Sequence, residues 1–139
     1  MNGPATPPVA APRPSRRWRR SLFRCLIGLL LLAVFLVAAY IWLALSWSFA
    51  EGERAGYVQK FSRKGWICKT WEGELAMANL PGAIPEVWHF TVRDPMVAAR
   101  INDDMGRRVS LRYEHHRGLP TTCFGETEYF VVEVKRVEP

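Results

Sequence analysis

The sequence has 139 residues, a formal net charge of +6 and a pI near 9.7. Such a basic chain would ordinarily be a candidate for binding nucleic acid or an anionic membrane. However, six arginines and no acidic residue precede residue 25, whereas the segment from residue 51 onward contains 13 basic and 13 acidic residues, which cancel. That segment has no excess of cations to neutralise phosphates, so we expect no nucleic-acid partner. The length leaves room for one small domain.

The N-terminal segment, residues 1–21, is rich in proline, alanine and arginine. Residues 1–15 contain no hydrophobic cluster, so burial of apolar surface cannot offset the entropy lost on ordering them. We predict that residues 1–21 form a disordered tail.

A long apolar run follows the tail. No charged residue occurs from Cys25 to Phe49. A helix of that length reaches about 37 Å, against about 30 Å of bilayer hydrocarbon. We predict a transmembrane helix over residues 22–49, because the apolar core of a cleaved signal peptide is much shorter. The alternative is cleavage after Ala50, where Ser48-Phe49-Ala50 resembles a small-x-small cleavage site.

The charges that flank this run predict its orientation. Arginines cluster before it, and the positive-inside rule places such a cluster in the cytoplasm. Tyr40, Trp42 and Trp47 gather at its far end, as aromatic residues do at membrane interfaces. We therefore expect a single-pass protein of a bacterial inner membrane, with a cytoplasmic N-terminus and residues 51–139 in the periplasm.

Residues 51–139 carry the pattern of a small mostly-β domain. Alternating and β-prone segments predict strands, and Asp94 followed by Pro95 predicts a helix start. The predicted strands are Tyr57–Phe61, Trp66–Ala76, Val87–Val92, Val109–Glu114 and Glu128–Val137. Turns are predicted at Ser62–Gly65 and Asn79–Gly82. Three strands, a helix and two strands is the order of an OB-like five-stranded barrel; an SH3-like barrel or a small α+β sheet shares much of the pattern.

Two stretches carry a resemblance to a known family. GERAGYVQKFSRKGWICKTWEGEL (Gly52–Leu75) and CFGETEYFV (Cys123–Val131) resemble a family of short bacterial single-pass membrane proteins with no established function. Some of its members carry the label 6-phosphogluconate dehydrogenase. The label does not fit this chain, which lacks a G-x-G-x-x-G after a strand and has no room for the dinucleotide-binding fold. The resemblance implies a shared architecture and no catalytic residues.

Cysteine and histidine chemistry leads to two predictions. Cys68 and Cys123 are the only cysteines beyond the apolar run, and in an oxidising compartment they are a candidate disulfide. The alternative is that Cys68 is a small core residue and Cys123 a separate thiol. His115 and His116 are adjacent, and neighbouring residues of one strand point to opposite faces. We therefore expect no metal site and no cofactor.

A candidate binding surface surrounds the first turn of the domain. It consists of Trp66, Lys60, Arg63, Lys64 and His89. Exposed aromatics on the second and third strands of an OB barrel form stacking platforms for ligands. The basic residues could equally be a solvated hairpin tip, or could touch anionic lipid head groups if the hairpin lies beside the bilayer.

No convergent acid, base and nucleophile is evident, so we predict no catalytic residues. The leading hypothesis is a membrane-anchored binding or adaptor module with a protein partner in the membrane or envelope. One alternative is a small thiol- or metal-dependent enzyme built around Cys123, His115 and Glu126. Another is an accessory subunit whose helix packs into a larger membrane complex.

Overall fold

The computed structural model describes residues 3, 16–77, 82 and 84–137. Most of the predicted tail and most of the predicted Asn79–Gly82 turn lie outside the described residues. In chain order the elements are α1 (Arg16–Ser46), β1 (Ala50–Lys64), β2 (Thr70–Met77), β3 (Val87–Val92), α2 (Pro95–Asp103), β4 (Arg108–His115) and β5 (Tyr129–Arg136).

Helix α1 is long and apolar enough, by length and composition, to cross a membrane. It begins at Arg16, within the range predicted as tail, because arginine is a strong helix former and residues 16–21 extend the helix without a breaker. It ends at Ser46, before the predicted boundary at residue 49. The Ser46 hydroxyl donates to the Trp42 carbonyl at 2.7 Å, and Trp47 N–H donates to the Leu43 carbonyl at 3.0 Å. From Ala39 onward, the chain forms one compact unit that includes the barrel.

The five strands close into a barrel in the order β1-β2-β3-β5-β4. All neighbouring pairs are antiparallel except β3 and β5, which pair in parallel at Thr91–Phe130 and Val92–Val131. With a helix between the third and fourth strands, this arrangement confirms the prediction of an OB-like barrel.

Strand β1 is much longer than the predicted Tyr57–Phe61. Its first half pairs with β4 and its second half with β2, with a register shift between Val58 and Lys60. One strand can serve two neighbours because a bulge bends it around the barrel. Its polar first half shows no apolar alternation that would reveal this role in the sequence.

The first turn lies later in the chain than predicted. Ser62–Lys64 remain in β1, and β2 begins at Thr70 instead of Trp66. The connecting loop, which we call L12, therefore comprises residues 65–69. Gly65 opens it at a φ of 126°, a backbone conformation that a residue with a Cβ rarely adopts.

The barrel core is aliphatic and aromatic. Its largest fully buried side chains include Phe90, Leu75, Ile101, Leu111 and Val92. Helix α2 adds Val97, Ala98 and Ile101 to this core. The Asp94 carboxylate accepts a hydrogen bond from Met96 N–H at 2.7 Å, which confirms the predicted helix start.

Candidate functional site

The candidate site is the outward-facing side of β1, β2 and β3. Because Trp71 and Leu75 pack toward the core, the alternate β2 residues Thr70, Glu72 and Glu74 face outward. In OB barrels this side, flanked by the loops between strands 1 and 2 and between strands 4 and 5, is the usual ligand-binding surface. We call the second loop, residues 116–128, L45, and the space between L12 and L45 the cleft.

One row of cross-strand neighbours in the cleft is charged. Lys60 lies opposite Glu74, which lies opposite His89. Lys60 Nζ is 3.1 Å from Glu74 Oε1, and this hydrogen bond is the main reason that the pKa of Glu74 is below its usual value. Lys64 Nζ lies 3.6 Å from a carboxylate oxygen of Glu126. Each of these two lysines therefore faces a carboxylate.

The next row contains a buried carboxylate. Glu72 is only 6 % exposed and accepts hydrogen bonds from the hydroxyls of Thr70 and Thr91, both at 2.7 Å. It also accepts one from Glu126 N–H at 3.1 Å. A buried carboxylate needs such donors, since burial without them is strongly unfavourable. Glu72 therefore ties L45 to the sheet.

Sequence reasoning missed Glu72. Its position on the outward-facing side of β2 is typical of a solvated residue, and L45 buries it by folding across β2 and β3. Gly125 allows this close approach, because a Cβ there would lie 2.6 Å from Thr91 Cγ2. Thr127 N–H adds a hydrogen bond to Thr91 Oγ1 at 3.2 Å. The one signal in the sequence is the outward-facing threonine at position 70, two positions before Glu72.

A disulfide joins the two loops that flank the cleft. Cys68 of L12 and Cys123 of L45 are bonded, with their Cα atoms 4.9 Å apart. Beside this bridge, Trp66 is fully exposed and Ile67 is 96 % exposed. The tip of L12 thus presents two large apolar side chains to solvent from a loop that is covalently tied down.

Two adjoining cavities form the cleft. One, of about 160 Å³, is lined by Lys60, Lys64, Glu72, Gly73, Glu74, His89, Glu126 and Thr127. The other, of about 230 Å³, runs along the loop rim past Trp66, Ile67 and the disulfide, and shares Lys64 and Glu126 with the first. The cleft is therefore polar and charged over the sheet and apolar at its L12 rim.

The structure brings four of the five predicted surface residues to this cleft. Lys60, Lys64 and His89 line the first cavity, and Trp66 lines the second. Arg63 lines neither of these two. Its guanidinium lies 5.6 Å from the centre of the Trp71 ring in a cation–π contact.

The residues of the predicted alternative enzyme lie in separate contacts. Cys123 is held in the disulfide and is not a free thiol. His115 Nε2 is 3.1 Å from Glu128 Oε2, and its ring stacks on Tyr129 at 4.5 Å. Glu126 pairs with Lys64. Across residues 16–77 and 84–137, no group of three or more His, Cys, Asp or Glu side chains is arranged to hold a metal ion.

Comparison with known families gives one match. Residues 48–139 match the model of a domain of unknown function, DUF8785. No curated protein matches the chain. The matched segment begins just after α1, covers every strand of the barrel and amounts to more than half of the sequence. The chain therefore belongs to the DUF8785 family of domains of unknown function.

Proposed function

We propose that this protein is a non-catalytic binding or adaptor module anchored on the outer face of a bacterial inner membrane. Helix α1 would cross the membrane once, with the arginines on its cytoplasmic side, as the positive-inside rule requires. The barrel would then lie in the periplasm. The Cys68–Cys123 bridge supports this compartment, because disulfides persist in oxidising surroundings and are rare in the cytosol.

Retention of the helix is supported by the join between helix and barrel. Ala50 is the first residue of β1 and pairs with His115, and Phe49 N–H donates to the His115 carbonyl at 2.7 Å. Cleavage after Ala50 would detach both residues from the end of the β1–β4 ladder. These contacts favour an anchor that stays attached.

The observation that carries the binding proposal is the rim of the cleft. A few residues, with tryptophan, tyrosine and arginine foremost, carry most of the affinity of protein interfaces. Trp66 is such a residue, exposed Ile67 adds apolar surface beside it, and the disulfide constrains the loop that presents both. A constrained loop loses less conformational entropy on binding than a free one. The paired lysines and glutamates beside it would supply the polar part of the interface.

The course of β1 supports a partner in the envelope. The strand starts next to the helix junction and ends at L12, and it is 15 residues long. At about 3.3 Å per residue its contour is about 50 Å, although the bulge bends it. The rim of the cleft thus lies at the end of β1 opposite the anchor, so we favour a protein of the membrane or envelope as its partner.

Site-specific photocrosslinking in intact cells tests this function. A photoreactive residue replaces Trp66 in the full-length protein, and the same residue replaces exposed Arg108 in a control. We expect a discrete protein adduct from position 66 and none from position 108. A second pair of strains carries the probe at His89, with or without Trp66→Ala and Ile67→Ala, which should remove the adduct. The proposal is wrong if positions 66 and 89 form no adduct, or if position 108 gives the same one.

The same experiment separates the other two functions. Adducts formed only from positions in α1, such as Gly28, would instead support an accessory subunit of a membrane complex. A thiol-dependent enzyme would require Cys123 to be reduced in the cell. Alkylation of Cys123 in cells, before any reductant is added, would support that activity.

A further inference from the structure

The start of L45 packs against the last turns of α1 through two hydrogen-bonded contacts. The Tyr40 hydroxyl donates to the Gly118 carbonyl at 2.8 Å. His116 is only 4 % exposed, and its Nδ1 lies 3.1 Å from the carbonyl oxygens of both Ala44 and Trp47. Carbonyl oxygens only accept hydrogen bonds, so Nδ1 is the donor. The histidine thereby provides a partner for the Ala44 carbonyl, in the last turn of the helix, and for the Trp47 carbonyl just beyond the helix end.

These contacts set the depth of L45 relative to the helix end. Tyr40 precedes the last helical residue, Ser46, by nearly two turns, which is about 9 Å along the axis. Because Tyr40 bonds to Gly118, the Gly118 carbonyl lies below the helix end, beside its last two turns. If the helix crosses a membrane, a loop at this depth lies against the membrane surface.

The position of the bilayer edge follows from the same contacts. Polar loop backbone is not tolerated in the hydrocarbon when it faces lipid. The hydrocarbon must therefore end near Tyr40, and the segment Leu22–Tyr40 is long enough to cross it. Arg24 can reach the opposite interface by extending its side chain. The start of L45 then lies in the head-group layer.

The surface at this level has the chemistry of a head-group contact. Trp42, Trp47 and Phe49 are 71 %, 73 % and 63 % exposed. The Arg117 guanidinium lies 4.6 Å from the centre of the Phe49 ring. Among the described residues no carboxylate forms a salt bridge with Arg117, so its donors are available to a phosphate. Aromatic rings and arginine are the side chains that favour membrane interfaces and phosphate groups.

We propose that Arg117, with Trp47 and Phe49, forms a phospholipid head-group site, in which the guanidinium binds phosphate groups of the bilayer that α1 crosses. The site rests on the membrane span of the proposed function, and it holds the barrel close to the membrane surface. Anionic lipids bind it best, because a cation near a negatively charged leaflet is stabilised there.

Paramagnetic broadening tests the contact in the full-length protein. The protein, labelled with ¹⁵N at glycine, is placed in nanodiscs of phosphatidylethanolamine and phosphatidylglycerol that contain a lipid with a gadolinium chelate on its head group. We expect strong broadening of the Gly118 amide signal, and little at Gly65 or Gly106 in other loops. A Gly118 signal as sharp as that of Gly65 would overturn the head-group site.

Carbonate extraction of cell membranes separates this failure from failure of the proposed function. A chain that stays in the membrane pellet is anchored, so a sharp Gly118 signal then refutes the head-group site alone. A chain released into the supernatant refutes the membrane span and the head-group site with it.

Two charge-reversing variants test the role of the guanidinium. Arg117→Glu should lower the broadening at Gly118 several-fold in the phosphatidylglycerol discs. Arg108→Glu makes the same change at the other end of β4 and should leave it unchanged. Both residues are exposed, and unshifted Gly65 and Gly106 signals verify the fold. If neither variant changes the broadening, the helix contacts alone set the depth, and if both change it equally, the effect is one of overall charge. Either result refutes phosphate binding by Arg117. A photoreactive residue at position 117 that crosslinks to a protein instead of to lipid would also refute the head-group site.

Discussion

The two ends of L45 are held to the rest of the domain by different chemistry. At the cleft end, a buried carboxylate, Glu72, accepts from Glu126 N–H, and a disulfide joins Cys123 to L12. At the anchor end, a buried imidazole, His116, donates to the carbonyls of Ala44 and Trp47. The loop between them contains no helix or strand of its own. Residues outside the loop therefore hold it in position.

This comparison shows how a small barrel can hold a long loop. A loop with few apolar contacts cannot be ordered by the hydrophobic effect alone, since its conformational entropy opposes ordering. Buried hydrogen bonds and a covalent bridge supply the rest of the stabilisation that ordering the loop requires. Buried polar groups are costly to leave without hydrogen-bond partners. The first three changes below test these contacts separately, and the fourth tests an ion pair of the cleft that does not involve L45.

Removal of the disulfide should have the largest effect. The bridge closes a loop with a sequence separation of 55 residues, so Cys68→Ser with Cys123→Ser should lower the free energy of unfolding by about 4 kcal/mol. Denaturant unfolding of the full-length protein in detergent measures this loss. Reductant should destabilise the wild type by the same amount and leave the double variant unchanged. A wild type insensitive to reductant would show that the cleft end depends on hydrogen bonds alone.

Removal of the buried carboxylate at the cleft end should have the second-largest effect on stability. Glu72→Ala leaves two threonine hydroxyls and the Glu126 N–H without their acceptor, and should lower the free energy of unfolding by about 3 kcal/mol. Glu74→Ala, on the same side of β2, removes only a solvent-screened ion pair and should lower the free energy of unfolding much less than Glu72→Ala does. An equal loss of unfolding free energy in both variants would mean that the burial and hydrogen bonds of Glu72 add no stability beyond that of an exposed carboxylate.

The imidazole at the anchor end should have a smaller and local effect. His116→Ala removes a donor to the helix-end carbonyls and should cost about 1–2 kcal/mol. Hydrogen exchange should accelerate at the amides of Trp47 and Phe49 but not at that of Glu126. His89→Ala, at an exposed position in the cleft, serves as the control. Faster exchange at Glu126 in His116→Ala would show that the two ends of L45 are coupled.

The exposed ion pair of the cleft should have the smallest effect. The Lys60 hydrogen bond lowers the pKa of Glu74, so its stabilisation is present above the carboxyl pKa of the unfolded chain. This stabilisation disappears as the pH falls through the lower pKa of the folded state. Lys60→Met should raise the pKa of Glu74 toward its ordinary value, as NMR titration of the Glu74 carboxyl would measure. An unchanged pKa would show that Lys60 does not cause the lowered pKa of Glu74.

Local patterns were sufficient to predict several elements. The uncharged run predicted α1, the alternation of Trp88, Phe90 and Val92 predicted β3, and Asp94-Pro95 predicted the start of α2. Each of these signals lies within one element, so no distant contact is needed to read it. The order of the elements then indicated the barrel.

Other features depend on distant parts of the chain. The full length of β1 depends on pairing with β4, from which it is separated in sequence by β2, β3 and α2. The late start of β2 accompanies the short L12 loop, which the bridge from Cys68 to Cys123 constrains. The burial of Glu72 depends on L45 crossing two strands. No window of neighbouring residues contains these contacts, so periodicity could not reveal them.

Hydrophobicity, alternation and capping act within a few residues of one another, so the amino-acid sequence alone predicts a long apolar helix followed by a small charge-balanced β domain. Which polar residues are buried, and which surfaces L45 connects, depends on the tertiary fold. Closure of the barrel brings residues together that are far apart in the chain. The burial of Glu72 and His116 is set by that closure, and neither residue is marked by its neighbours in the sequence.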